Sequence, residues 1–156
     1  MRNLLIASSI FALTACNPAL AEDMTIEMLN KRDDGAKMVY SVDIARIDVG
    51  DTITWEPTTK GHNIEFKVGP DGWKVPKKSP FNRVVEMTFD TPGVYYYQCT
   101  PHKTMGMIGL VVVGDDVSNK DIILKKSKAK GKSKKKLKGW LNAVSYTHLT
   151  LPTNDV

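Results

Sequence analysis

Short runs of alternating apolar and polar residues, separated by turn residues, dominate the first two thirds of the chain. Thr25-Ile26-Glu27-Met28-Leu29 alternates, as does Ile47-Asp48-Val49, and Gly50-Asp51 then turns the chain into Thr52-Ile53-Thr54-Trp55. A two-residue period puts successive side chains on opposite faces, so these runs predict strands with one face in a core. Ile26, Met28, Val49, Ile53 and Trp55 are the expected core positions. Pro57 ends the last run, because proline has no N–H to give to a ladder. Asn63-Ile64-Glu65-Phe66 predicts a further short strand. Residues 68–82 contain Pro70, Pro76, Pro80, Gly69 and Gly72 and predict a loop. Val84-Val85-Glu86-Met87-Thr88-Phe89 is the next strand, and Thr91-Pro92-Gly93 turns it into Val94-Tyr95-Tyr96-Tyr97-Gln98-Cys99. Ile108-Gly109-Leu110-Val111-Val112-Val113 closes the sheet. Short strands at turn-separated spacing predict an all-β sandwich. No helical period falls among them to suggest a βαβ sheet.

The two ends read differently. Met1-Arg2-Asn3 is a short basic segment, Leu4 to Ala15 is apolar, and Ala19-Leu20-Ala21 offers a small-x-small cleavage site. Residues 1–21 therefore read as a signal peptide, with a mature chain from about Glu22 and export to a bacterial periplasm. Leu13-Thr14-Ala15-Cys16 also reads as a lipobox, and cleavage before Cys16 would leave a lipid-anchored protein on the periplasmic side. The soluble product is preferred, since Pro18 ahead of Ala-Leu-Ala suits signal peptidase and little linker separates Cys16 from the first strand. Membrane contact is expected only if Cys16 is lipidated. No later segment is apolar enough to cross a bilayer.

At 156 residues and 42% apolar content, the chain can hold one domain with a real core plus extras. Residues 22–114 are assigned to the sandwich and 115–143 to a basic extension. Lys125 to Lys138 carries nine lysines in fourteen residues. Gly131 and Gly139 weaken helix there, and Lys-Ser-Lys-Ala-Lys-Gly-Lys reads partly as a loop between two short helices. A polybasic run can signal nucleic acid or anionic lipid. Export argues against nucleic acid, and the aromatics that single-strand stacking would use are not interleaved.

The chemistry is concentrated in Cys99-Thr100-Pro101-His102-Lys103-Thr104-Met105-Gly106-Met107. A thiolate, an imidazole and a thioether fall within nine residues. That is the soft donor set of a mononuclear blue-copper site, which wants a second histidine. Gly61-His62-Asn63 supplies it from another strand end. A structural zinc site would need more Cys or His than Cys16 and Cys99 allow. A catalytic Cys/His pair leaves the methionine unexplained. His62, Cys99, His102 and a methionine are thus the candidate ligands of one copper ion, converging at one pole of a rigid sandwich. Spacing alone admits Met105 or Met107. Pro101 stiffens the loop, and Asn63 is placed to tie the two ligand loops together.

These residues resemble the pseudoazurins, a family of bacterial blue-copper proteins, over about 24–143. The matching pieces are Met28-Leu29-Asn30-Lys31, Gly50-Asp51-Thr52, Lys60-Gly61-His62-Asn63, Thr91-Pro92-Gly93-Val94-Tyr95, Cys99-Thr100-Pro101-His102 and Met105-Gly106-Met107-Ile108-Gly109. The resemblance implies a cupredoxin-like Greek-key β-sandwich with a short C-terminal helical extension, and it makes Met107 the axial ligand. It further implies a periplasmic carrier that shuttles single electrons to a redox protein such as nitrite reductase or a cytochrome c. Transfer would pass through the His102 edge, on an apolar face with Pro101 and Met105 ringed by Lys31, Lys37, Lys60 and Lys103. A monomer is the expected state. A copper-delivery protein is the alternative, although such sites often favour open or Met-rich ligand sets. A copper enzyme is not expected, because a second metal site needs histidines beyond His62 and His102. Lys103-Thr104 departs from the family's aromatic-Gly pair, and the loop around Trp73 is unusual. Residues 144–156 resemble the translation of a transposon-type sequencing adapter and are expected to be a non-native tail, which removes His148 as a ligand candidate.

Overall fold

Among the described residues, eight strands form two four-stranded sheets stacked face to face, and two helices follow them. The computed structural model describes residues 23–146. The expected signal peptide, its lipobox and residues 147–156 lie outside the described residues. The strands are β1 (Met24–Lys31), β2 (Lys37–Tyr40), β3 (Ile44–Ile47), β4 (Thr52–Glu56), β5 (Glu65–Val68), β6 (Val85–Thr88), β7 (Gly93–Gln98) and β8 (Ile108–Val113). The helices are α1 (Lys120–Lys126) and α2 (Gly131–Tyr146). One sheet runs β2-β1-β4-β6 and the other β3-β8-β7-β5. Each contains one parallel pair, β1 with β4 and β3 with β8, and is otherwise antiparallel.

Between the sheets lies an aromatic core. Trp55 on β4 meets Tyr97 at 5.3 Å and Phe66 at 5.7 Å between ring centroids, both edge-on. Edge-on contacts of this kind add about 0.5–1.5 kcal/mol each beyond the burial itself. Ile26, Met28 and Ile53 fill the same layer, as their alternation predicts. Val49 does not: it lies just past β3, before the turn at Gly50, and is 50% exposed. Trp73 packs on this core through Tyr95 at 4.9 Å and Phe66 at 5.5 Å, and its ring lies against Gly69.

The second sheet is covered on both faces. Its outer side, Val68, Val94, Tyr96, Ile108, Leu110 and Val112, buries Ile123, Leu137, Leu141 and Val144 of the helices. Every residue of β7 and β8 is therefore buried. Asn119 locks the extension down, accepting from the Val94 N–H at 2.9 Å and donating to Val94 O at 2.8 Å. Two helices with a lysine-rich loop between them match the expectation. Helix α2 runs on to Tyr146, and Val144 near its end is buried.

The remaining differences are small. Strand β5 starts at Glu65 rather than Asn63, because the Ile64 N–H is taken by Ser79 Oγ and Asn63 by the ligand loop. Strand β2 and the first three residues of β3 are additional to the predicted strands.

Candidate metal centre

Cys99 stands immediately after β7, and Met107 immediately before β8. The antiparallel ladder extends to this pair, since the Cys99 N–H donates to Met107 O at 3.0 Å. Between them the chain folds back in tight turns. The N–H of His102 donates to Cys99 O, and those of Met105 and Met107 donate to His102 O, at 3.0–3.3 Å. Gly106 adopts φ +106°, a left-handed conformation that suits glycine. His62 is held in a second loop, where Asn82 receives the Gly61 N–H on its side chain at 2.6 Å and donates its own N–H to His62 O at 3.0 Å.

These loops bring three donors together. Cys99 Sγ lies 3.7 Å from His62 Nδ1 and 3.5 Å from His102 Nδ1, and all three ligand atoms lie within 4.8 Å of one another. A metal bonded at about 2.3 Å to sulfur and about 2.0 Å to nitrogen, at roughly tetrahedral to trigonal angles, would separate the sulfur from each nitrogen by about 3.5–3.7 Å. The spacing fits a single bound ion. Cys99, His62 and Met107 are fully buried, and His102 is partly exposed. Met105 is half exposed and lines a surface cleft with Lys37 and Trp140.

Electrostatics suit the same reading. Burial pushes the Cys99 thiol up, only partly offset by hydrogen bonds, so the buried sulfur needs a cation to become a thiolate. Burial also lowers His62, with help from the neighbouring His102, and lowers His102 itself. Both imidazoles are thus kept neutral, the form that ligates a metal. Asn30 Oδ1 accepts from His62 Nε2–H at 2.9 Å, which fixes the tautomer and leaves Nδ1 free to face the sulfur. Spacing along the chain gives no hint of Asn30, which lies 32 residues away.

Asn63 ties the two loops as expected. Its Oδ1 accepts the Thr100 N–H at 2.9 Å, and its Nδ2 donates to Thr100 Oγ1 at 3.0 Å and Ser79 O at 3.3 Å. Tyr40 OH fixes its carbonyl at 3.0 Å. Thr100 Oγ1 in turn donates to Glu65 Oε2 at 3.2 Å. Burial works to raise Glu65, but hydrogen bonds from Gln98 and Lys67 outweigh it and hold the carboxyl below its ordinary range.

The sequence profile of the copper binding proteins, plastocyanin/azurin family, matches residues 26–114. A pseudoazurin from Paracoccus pantotrophus is 41% identical over 117 residues, covering 74% of this chain and 78% of its own. The chain belongs to the pseudoazurins. A second member, from Methylorubrum extorquens, is 40% identical over 115 residues, covering 72% of this chain and 76% of its own. The crystal structure of native pseudoazurin from Hyphomicrobium denitrificans superposes with a TM-score of 0.70 at 38% identity, over 78% of this chain and 98% of that one. Pseudoazurins are electron-transfer cupredoxins, and their cofactor is one copper ion.

Proposed function

We propose that His62, Cys99, His102 and Met107 hold the copper ion, and that the protein carries single electrons between redox proteins in a bacterial periplasm. The observation behind this reading is the closed pole itself: a buried Cys99 Sγ within 3.7 Å of two histidine Nδ1 atoms, with one of those rings reaching the surface. Met107 completes the set because it is buried beside Cys99, whereas Met105 is turned to solvent.

Copper supplies a one-electron couple in such a donor set. The protein supplies the rest. Cys99 and His62 are shut away from water, Asn30 and Asn63 hold their loops, and packed strands limit movement between redox states. His102 offers an exit edge beside exposed Pro101 and Met105. Lys31, Lys37, Lys60 and Lys103 are all exposed, a charge pattern that favours brief encounters with an acidic partner such as a denitrification reductase. The site serves transfer and has no catalytic role of its own.

The test is direct. Copper-loaded protein should give a reversible one-electron wave and should reduce a copper nitrite reductase in stopped-flow, with a rate that falls as salt rises. Tight copper binding without a reversible wave would favour the delivery reading instead.

A further inference from the structure

Three donors on α2 reach the loop that joins His102 to Met107. Ser133 Oγ donates to Lys103 O, the Lys132 N–H donates to Thr104 O at 3.2 Å, and Lys136 Nζ approaches Gly106 O at 3.5 Å. Among the described residues, the loop's other backbone bonds are its own turns and the Cys99–Met107 rung. The two sides serve each other. The first N–H groups of a helix have no partner within it, and here a loop carbonyl takes one of them.

The helix is anchored where it does this. Ser133 is fully buried amid exposed lysines. Lys136 bonds Asp43 at 3.1 Å and lies 4.5 Å from the centre of the Trp140 ring. Asp43 is also bonded by Arg32 at 3.3 Å, and its carbonyl accepts the Leu110 N–H of β8 at 3.1 Å. Beneath, Leu137 and Leu141 pack on the outer face of the second sheet. Gly131, at the helix start, has φ +59°, and a Cβ there would come within 2.8 Å of Thr104 O. Close approach of loop and helix thus requires glycine at this position.

We infer that the C-terminal extension positions the copper-ligand loop, with Ser133, Lys136 and the Gly131 turn as positioning residues. Residues 103–106 are clamped from outside the sandwich, so the spacing of His102 and Met107 depends on α2. The lysine-rich extension is therefore part of the scaffold of the metal centre, in addition to any role of its charge. The exchange measurement below does not depend on the ligand assignment. The spectral one rests on it.

Ser133→Ala and Gly131→Ala in the full chain test this, with Gly139→Ala as control, since nothing lies within 4 Å of a Cβ at Gly139. In copper-free protein, amide hydrogen exchange at Met105 and Met107 should quicken about five- to tenfold in Ser133→Ala, the factor given by net loss of one hydrogen bond. Exchange at Thr100, held by Asn63, should not change. In copper-loaded protein, the ratio of the charge-transfer bands and the reduction potential should move in both variants and stay put in Gly139→Ala. Unchanged exchange at Met105 and Met107 with α2 intact by circular dichroism would overturn the proposal. So would equal acceleration at Thr100. Should α2 be lost in both variants, Lys136→Met gives the same comparison with Ser133 in place. Absence of blue colour in the unmutated protein would instead sink the ligand assignment and leave the exchange result standing.

Discussion

Asn63→Ala is the most informative single perturbation outside the ligands. It removes the acceptor of the Thr100 N–H and the donor to Thr100 Oγ1 and Ser79 O. Thr100 Oγ1 keeps Glu65 as a partner, so its loss is small. The Thr100 N–H is left without its partner next to the buried Cys99, and an orphaned donor costs about 1–3 kcal/mol in addition to the net bonds lost. A total of about 3 kcal/mol is expected, which lowers the melting temperature by about 10 °C for a domain of this size. Chemical unfolding of the copper-free protein reads this without metal linkage. The same variant should alter the copper charge-transfer spectrum, because the loops bearing His62 and Cys99 then move independently. A stability within about 0.5 kcal/mol of the unmutated protein, the range of an inert surface change, would refute the claim that Asn63 joins the loops.

Other outcomes follow from the same contacts. Gly139→Ala should stabilise the protein by up to about 1 kcal/mol in thermal unfolding, because it improves helix propensity where a Cβ meets nothing. Gly69→Ala should destabilise the fold and change the near-ultraviolet signal of Trp73, whose ring would lie 2.4 Å from the new Cβ. For pH, His62 and His102 are both lowered, so the unfolded chain binds more protons than the folded one just below the ordinary histidine value of 6.5. Stability of the copper-free protein should therefore fall as pH drops through about 6.5 and level off below the folded-state values. A titration by denaturant midpoint that is flat from pH 7 to pH 5, taken as roughly the histidine window, would count against neutral buried imidazoles.

Much of this architecture is legible in the chain, for identifiable reasons. Alternation and sharp turn residues mark β1, β4 and β6, a run of Val and Tyr after the Thr91-Pro92-Gly93 turn marks β7, and the Ile108–Val113 run marks β8 residue for residue. The ligand set is legible because three of its members share one loop. Val49 misleads because the alternation of β3 continues past the strand's end, where the turn at Gly50 sends its side chain outward. Strand β2 is only four residues long, and its signal is the Asp33-Asp34-Gly35 turn ahead of Lys37. The contacts of α2 with the ligand loop have no local signature at all. Lys136 and Asp43 are 93 residues apart, and Ser133 sits in a run that composition alone marks as solvated. Trp73 is equally silent in sequence, because its partners Phe66 and Tyr95 come from separate strands.

In the proposed site, Cys99 binds copper together with His62, His102 and Met107. One equivalent of Cu(II) added to the mature protein, followed by its visible spectrum, tests this most directly. An intense blue thiolate-to-copper band is expected, and Cys99→Ser should abolish it while the fold persists. A colourless unmutated protein, or a Cys99→Ser variant of equal blue intensity, would contradict it.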